Sequence, residues 1–242
     1  MQSSRRQLLL SATLVGMSAL PIAGQCQAPT ACATPSLGAL TQRMGKAWLC
    51  TSDGQLATAA RQVLKDSQLA FQQQLVQLHA GTTSPEQAGS LRALARRYED
   101  YQALFASQPG ADTQRALLTT ANEMLTLAQL ASGDRAALPW QARLAARQRL
   151  LSQRIALLGL TQVDTVATRR ERQSAIYEFE AGQQTLRQAG DAALRPYLAT
   201  ADAAWAPLRD AAGAGQAAPL FTASERLLVV MDAVTEHCSR IT

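Results

Sequence analysis

The chain has 242 residues, of which 47% are hydrophobic, 17% charged and 5% aromatic, which is enough for one large domain or two small ones. Leucine occurs 35 times, whereas valine and isoleucine together occur 12 times. Because β-branched residues are the usual material of strands, this composition excludes an all-β protein and disfavours a large parallel sheet. The sequence has two histidines, four scattered cysteines and no CxxC, HExxH, GxxxxGK[ST] or GxGxxG motif. We therefore predict a protein that is not an enzyme and needs no cofactor or metal.

Residues 1–33 are predicted to be an export signal. Arg5 and Arg6 form a charged start, and residues 8–23 form an apolar stretch that is too short for a comfortable membrane span. Ser-Arg-Arg-Gln-Leu-Leu at 4–9 resembles a twin-arginine signal with Leu in place of the usual Phe, so that route and the general secretory route both stay open. A retained N-terminal anchor is the alternative. The cleavage sites considered are after Ala33, which is favoured, and after Ala28 or Ala23.

The segment after the signal is only weakly basic. Removal of residues 1–33 takes away two arginines and no acidic residue, so the net charge falls from +5 to +3. The charges are spread along the chain, and no basic stripe with interleaved aromatics indicates nucleic-acid binding. No other apolar run is long enough to span a membrane. We expect a soluble periplasmic protein without a membrane span.

Eight helices are predicted from capping residues, glycines and prolines. In the first half, three helices cover about 36–50, about 55–79 and from 85 to before Pro109. A fourth helix runs from a cap at Asp112 to about Gly133. In the second half they cover about 139–163, 165–189 and 191–212, the last with a kink at Pro196 or Pro207. A loop at 213–219 then precedes the eighth helix.

Four segments of the first half recur in the same order in the second half. The matches are 40–44 with 151–155 at an offset of 111, Phe71 and Leu78 with Phe179 and Leu186 at 108, Tyr98 with Trp205 at 107, and 120–125 with 222–227 at 102. Differences in loop length between two copies would produce such smoothly falling offsets, although chance similarity between Ala/Leu/Gln-rich helices is the alternative. We predict two tandem four-helix up-down bundles, at 34–135 and 136–242, that form a pseudo-dimer.

Two of the repeated segments also resemble a known family. Arg-Gln-Arg-Leu-Leu-Ser-Gln-Arg-Ile at 147–155 is similar to the first-helix motif of the PilJ/NarX-like family, the extracytoplasmic input domain of type IV pilus chemotaxis transducers and nitrate/nitrite sensor kinases. Leu-Thr-Gln-Arg-Met-Gly-Lys-Ala-Trp-Leu at 40–49 resembles the later part of that motif. The resemblance implies that a small anion binds between paired first helices. The family's anion-contacting Arg aligns with Arg149, whereas the first copy has Gly38 there.

The residues themselves also suit anion binding. On a helix, Arg149 lies one turn from Ser152 and Gln153, so a guanidinium, a hydroxyl and an amide can share a face. A partly desolvated guanidinium presents planar forked donors, which match a planar oxyanion. The candidate ligand residues are Arg149, Ser152, Gln153, Arg154, Gln42 and Arg43. In the alternative, the repeated Gln-Arg pairs serve only the architecture of the bundle.

The remaining chemistry-bearing side chains are assigned to the framework. Lys46 is predicted on the surface, and the tryptophans Trp48, Trp140 and Trp205 are predicted to be core or interface anchors. His79 and His237 lack the spacing of metal ligands. If the two first helices run parallel, Cys32 and Cys238 lie at one end of the molecule and Cys50 at the other. Topology therefore favours a Cys32–Cys238 disulfide, provided that cleavage occurs before Cys32, and argues against a Cys50–Cys238 bond. Parity argues the other way, because cleavage after Ala33 leaves only Cys50 and Cys238.

The favoured interpretation is a periplasmic sensor-type protein that binds a small oxyanion, with nitrate or nitrite the leading candidates. Because the sequence shows no kinase or methyl-accepting segment, it would act through a protein partner in the periplasm or a membrane sensor. The alternative is a structural or adaptor bundle that binds protein partners and no small molecule.

Overall fold

The computed structural model describes residues 36–132, 138–189 and 192–240; the predicted export signal, its cleavage sites and Cys32 lie outside these ranges. All regular structure in the described ranges is helical, which confirms the predicted all-α fold class. The helices in chain order are α1 Leu37–Leu49, α2 Ala57–Gly81, α3 Pro85–Phe105, α4 Ala111–Ala131, α5 Trp140–Leu160, α6 Val166–Ala189, α7 Arg195–Ala214 and α8 Ala217–Arg240.

Local capping explains where several helices begin. The hydroxyl of Ser36 accepts from the Ala39 N–H at the start of α1, and Ser84 caps α3 with Pro85 at its first position. The predicted cap of α4 at Asp112 is wrong, because the helix begins one residue earlier, after Gly110. Asp112 instead lies in the first turn, where a carboxylate interacts favourably with the helix dipole.

The end of α7 differs more from the prediction. The expected loop at 213–219 is wrong, since only Gly215 and Gln216 separate α7 from α8. Gly215 has a φ of +66°, the left-handed conformation that ends many helices and that glycine adopts without strain. Pro219 lies in the first turn of α8, where its missing N–H costs no helical hydrogen bond. Pro207 lies inside α7, and the helix continues past it.

The two central helices are α1 and α5. α1 packs against α2, α4 and α5, while α5 packs against α1, α6 and α8. A Cβ on Gly38 would lie 3.0 Å from a Leu150 methyl group, and one on Gly45 would lie 3.3 Å from a Leu157 methyl group. Since these contacts advance in the same direction along both helices, α1 and α5 run parallel.

The hydrophobic core continues across the two halves of the chain. One cluster of buried residues is built from α5 to α8, and a second, around α1 to α4, also contains Leu157 of α5. A third cluster joins Ala47 and Cys50 of α1 to Phe221 of α8. The boundary between two units at 135/136 therefore stays a prediction, because buried side chains of each half complete the core of the other.

The positions of the described cysteines agree with the topological prediction. Cys50 packs beside Phe221, near the start of α8, whereas Cys238 lies near the end of that helix, about 25 Å further on at 1.5 Å per residue. Cys50 and Cys238 do not form a disulfide with each other. Burial raises the pKa of the Cys50 thiol to about 11.

None of the described helices combines the length and the apolar character needed to cross a bilayer.

Candidate functional site

A close approach of helices at Gly45 brings the polar residues of α1 into the interior. A Cβ at this position would collide with the Tyr101 hydroxyl and would lie 3.3 Å from methyl groups of Leu117 and Leu157. The Tyr101 hydroxyl donates to the backbone carbonyl of Thr41 at 3.1 Å, and burial raises its pKa well above the usual range. Glycine therefore lets α1 lie close to α3, α4 and α5 at the level of its Gln-Arg pair.

One polar cluster, which we call the Lys46 cluster, joins α1 to α5 and α8. Its members are Arg43, Lys46, Gln153, Ser224 and Glu225. The fully buried Lys46 Nζ donates to Glu225 Oε1 at 2.5 Å, Gln153 Oε1 at 2.7 Å and Ser224 Oγ at 2.8 Å. Arg43 donates to both Glu225 oxygens, with the shortest distance, 2.5 Å, from Nη2. All three ammonium protons of Lys46 thus have acceptors, as a buried charge requires.

Electrostatics keep this cluster ionised near neutral pH. Burial lowers the pKa of Lys46 to about 8, against the attraction of Glu225. Burial alone would raise the pKa of Glu225, but Lys46 and Arg43 outweigh it and lower that pKa to about 2. The prediction that Lys46 lies on the surface is wrong: its charge is balanced by a carboxylate that lies 179 residues away in sequence.

The second buried ion pair, Arg149–Asp232, joins α5 to α8. Arg149 is only 2% exposed, and its Nε lies 2.5 Å from Asp232 Oδ1. The Asp232 side chain is 32% exposed, although the Oδ1 atom that faces Arg149 is buried. Burial raises the pKa of Asp232 to about 6, although Arg149 and Arg43 partly oppose this shift. Asp232 therefore loses its charge more readily than an ordinary surface aspartate.

A third polar group surrounds Arg154 at the contact between α1, α4, α5 and α6. Arg154 donates to Gln42 Oε1 at 3.3 Å and to Asn122 Oδ1 at 3.0 Å, and it forms an ion pair with Glu171. Burial lowers the pKa of Arg154. The Gln42 Nε2 is buried and has no hydrogen-bond partner in the described part of the chain. This amide has an unused donor at the centre of the interface.

The two repeated Gln-Arg pairs make crossed contacts between the halves. Arg43 of the first half reaches Glu225 in α8, and Arg154 of the second half reaches Asn122 in α4. The repeat in the sequence matches 120–125 with 222–227, so each arginine contacts the same region of the other half's last helix.

The structure brings most, but not all, of the predicted site residues together. Gln42 contacts Arg154 between α1 and α5, whereas Arg43 and Gln153 belong to the Lys46 cluster. Ser152 is buried beside them: its hydroxyl donates to the Arg149 carbonyl at 2.8 Å and accepts from Gln153 Nε2 at 3.3 Å. By contrast, the Arg149 guanidinium extends to α8.

Sequence reasoning missed Lys46, Glu225 and Asp232. Lys46 is followed by the apolar residues Ala47, Trp48 and Leu49 at the end of α1, and this was a signal that it could be buried. No spacing in the sequence indicated that Glu225 is the partner of Lys46, or that Asp232 is the partner of Arg149.

The tryptophans occupy two kinds of position. Trp48 and Trp205 are core residues as predicted, and the Trp48 indole donates to the Ser107 carbonyl at 3.2 Å. Trp140 is not a core residue, since it is 41% exposed at the start of α5, and for it the interface alternative stays a prediction. Its placement in the first turn leaves its ring outside the packed part of that helix.

A cavity lies at the opposite end of the α1–α5 contact from the Lys46 cluster. Its volume is about 240 Å³, and its wall includes Gly38 and Leu150 together with Leu125 of α4. Arg143 and Arg147 line it as well, and Arg147 is held by Glu178 through two hydrogen bonds of 2.5 and 2.9 Å. Gly38 is the residue that corresponds to Arg149 in the repeat, so the first half has open space where the second half has a buried guanidinium.

Comparisons with known proteins add no assignment, because no family model, curated protein or solved structure matches the chain. Within the described ranges, no group of three or more His, Cys, Asp or Glu side chains is arranged to hold a metal ion.

Proposed function

We propose that this protein is an exported sensor-type module that binds a small oxyanion, nitrate or nitrite, beside its first helices and acts through a protein partner. The resemblance of 40–49 and 147–155 to PilJ/NarX-like first helices motivates the proposal. In it, the two halves are duplicated four-helix units related by an approximate twofold axis. The parallel packing of α1 and α5 and the crossed contacts of Arg43 and Arg154 support that arrangement.

The observation that carries the proposal is the Arg149–Asp232 ion pair. The guanidinium is desolvated, whereas the side chain of its partner Asp232 is partly exposed and has a raised pKa. A planar oxyanion could take the place of the Asp232 carboxylate on Arg149, because both offer oxygens to the same forked donors. Asp232 thus acts as an internal competitor of the ligand.

The charges around this ion pair also favour an incoming anion. Asp232 is electrostatically linked to Arg43 and Glu225 as well as to Arg149, and Glu225 is shared with Lys46. Three cationic side chains therefore face two carboxylates in a region of weak solvent screening. Protonation of Asp232 raises the excess positive charge further, so binding should strengthen as the pH falls through about 6.

The mechanism requires α8 to respond to the anion. With the ligand on Arg149, the Asp232 carboxylate loses its partner and turns to solvent, which weakens one tie between α5 and α8. A change in the position of α8 would present a different surface to the partner protein. Binding energy that differs between two arrangements is what any such transmission needs.

The test is calorimetric titration of the protein with sodium nitrate and sodium nitrite at constant ionic strength. We expect tighter binding at pH 5.5 than at pH 7.5, tighter and less pH-dependent binding by Asp232→Asn, and no binding by Arg149→Ala. Loss of a charged hydrogen-bond donor costs about 1.5–3 kcal/mol, roughly ten- to more than a hundredfold in affinity. Asp112→Asn, which alters an exposed aspartate paired with Arg115, is the matched control.

The second candidate function is a structural or adaptor bundle without a small ligand. The Lys46 cluster favours it, because each cation there already has an internal carboxylate and the polar side chains join α1 to α5 and α8. Absence of nitrate and nitrite binding by both the wild type and Asp232→Asn would overturn the oxyanion proposal in favour of this one.

A further inference from the structure

The groove between α6 and α7 is a second concave region, separate from the Arg149–Asp232 pair. Its volume is about 510 Å³, and side chains of both helices line it. The residues that bear on its chemistry are Tyr177, Glu180, Gln183, Trp205 and Arg209. Volumes of this size accommodate small organic molecules, and the mixture of aromatic and polar groups is typical of ligand pockets.

Aromatic rings form the apolar part of the groove. Trp205 stacks on Phe179 with ring centroids 4.2 Å apart and an angle of 22° between the planes, and both rings are buried. Tyr177, two residues before Phe179 on α6, is 73% exposed. A ligand's apolar side chain can therefore pack against Trp205 in the groove and be covered by Tyr177 at its rim.

Gln183 supplies a hydrogen-bond acceptor that the described part of the protein does not use. The residue is 2% exposed and lines the groove; its Nε2 donates to Asp202 Oδ1 at 3.2 Å, while its Oε1 is buried without a hydrogen-bond partner. A buried acceptor without a donor is unfavourable. A ligand N–H at this point would therefore form a hydrogen bond with an oxygen that has already lost its contact with water.

Two charged side chains of the groove, one acidic and one basic, are available to bind a ligand. Arg187 and Asp202 neutralise each other across the groove at 2.6 Å. Among the described residues, Glu180 takes part in no ion pair, and Arg209 contacts only its neighbour Asp210, at 3.3 Å. Glu180 lies one turn before Gln183 on α6, and Arg209 lies one turn after Trp205 on α7. A carboxylate beside an amide oxygen thus lines one wall, and a guanidinium lines the other.

We propose that this groove binds a free α-amino acid with an apolar side chain. The ammonium group donates to Glu180 and to the Gln183 Oε1, the carboxylate accepts from Arg209, and the side chain packs on Trp205. A zwitterion matches these groups better than a simple anion or cation, because the groove offers one charge of each sign.

The proposal is tested by calorimetry on the purified protein with L-phenylalanine and L-leucine as probes. We expect one amino acid bound per chain, and at least tenfold weaker binding of phenethylamine and 3-phenylpropionate, each of which lacks one charge. Gln183→Leu and Arg209→Ala should each weaken amino-acid binding at least tenfold. Gln74→Leu is the matched control, since it removes a glutamine whose Oε1 is likewise buried and unpartnered, but on α2.

Three outcomes would overturn the proposal: no binding of either amino acid, unchanged affinity in both groove variants, or equal binding of phenethylamine or 3-phenylpropionate. Melting curves of each variant show whether it folds, and Gln183→Leu keeps a side chain of similar size for this reason. Arg149→Ala should leave amino-acid binding intact, so this result and the oxyanion result are independent.

Discussion

The first helices of the two halves differ at two matching positions. At the offset of 111 that aligns the Gln-Arg pairs, Gly38 corresponds to Arg149 and Lys46 corresponds to Leu157. α1 therefore borders a cavity where α5 has a buried guanidinium, and α5 contributes a leucine to the hydrophobic core where α1 has a buried ammonium group. α1 carries the buried cation Lys46 and α5 carries Arg149, and the two residues lie at different heights along the α1–α5 interface.

The last helices differ in a corresponding way. Glu225 and Asp232, which partner the two cations, both lie on α8. Glu123, the counterpart of Glu225 on α4, is exposed and pairs with Arg97 at 2.7 Å. The comparison teaches that two halves with matching sequence segments can use different residues there: both carboxylate partners of Lys46 and Arg149 lie on α8 and neither lies on α4. The predictions below test that asymmetry, beginning with the largest expected effect.

Replacing the two matching glutamates should give very different results. Glu225→Ala leaves the fully buried Lys46 without a carboxylate, and removing one partner of a buried pair typically costs about 3–5 kcal/mol in the free energy of unfolding. Glu123→Ala removes an exposed pair and should cost at most about 1 kcal/mol. Urea denaturation of both variants measures the difference.

A double variant separates the charge from the packing. Lys46→Leu with Glu225→Gln makes α1 resemble α5 at this position, and an uncharged replacement of a buried pair is often neutral or stabilising. We therefore expect it to be more stable than Glu225→Ala. A loss as large as that of the single variant would contradict our account of the Lys46 cluster.

The two glycines of α1 should respond differently to the same substitution. In Gly45→Ala the new methyl group meets the buried Tyr101 hydroxyl, and such overpacking typically costs about 1–3 kcal/mol. In Gly38→Ala it meets methyl groups of Leu125 and Leu150 at 2.8 and 3.0 Å, which can move into the adjacent cavity. The helix preference for Ala over Gly, about 1 kcal/mol, then offsets the contact.

Thermal melting of the two variants at one pH checks this prediction. Equal melting temperatures would show that the two ends of the α1–α5 contact are equally packed. That result would contradict the looser packing that we infer from the cavity beside Gly38.

The smallest effect concerns the pH dependence of stability. The folded-state pKa of Asp232, about 6, lies above its ordinary value of 3.8, so the folded protein holds the proton more tightly than the unfolded chain. Its contribution to stability is complete below about pH 4 and is lost as the pH rises through about 6. Between pH 4 and 7 we expect the wild type to lose on the order of 1 kcal/mol relative to Asp232→Asn. A parallel pH dependence of the two proteins would remove Asp232 as the titrating group.

The fold was largely predictable because the residues that start and end its helices act locally. Ser36, Ser84 with Pro85, and the glycines at helix ends act within one turn, so helix number and order could be predicted from the sequence. The short connection at Gly215 was not predicted, because a proline two residues into a helix and a proline in a loop leave the same local pattern.

The candidate site was only half predictable. The repeated motif indicated that Gln42, Arg43, Gln153 and Arg154 belong to one site; Gln42 contacts Arg154, but Arg43 and Gln153 belong to the Lys46 cluster. The burial of Lys46 and the pairing of Arg149 with Asp232 depend on α8, whose Glu225 lies 179 positions after Lys46. Contacts at such separation follow from the packing of whole helices, which single-residue spacing does not encode.

The sharing of core residues between the halves has a consequence for the order of folding. α1 is buried by side chains from α5 and α8, and Leu157 and Phe221 enter clusters built around α1. A chain that ends after α4 would leave one face of α1, including Lys46, exposed to water. Contacts that span more than a hundred residues must close a long loop first, and they form late. The first half should therefore reach its native packing only after α8 is present and has packed against α1. A factor that holds the chain unfolded until then would protect it from aggregation.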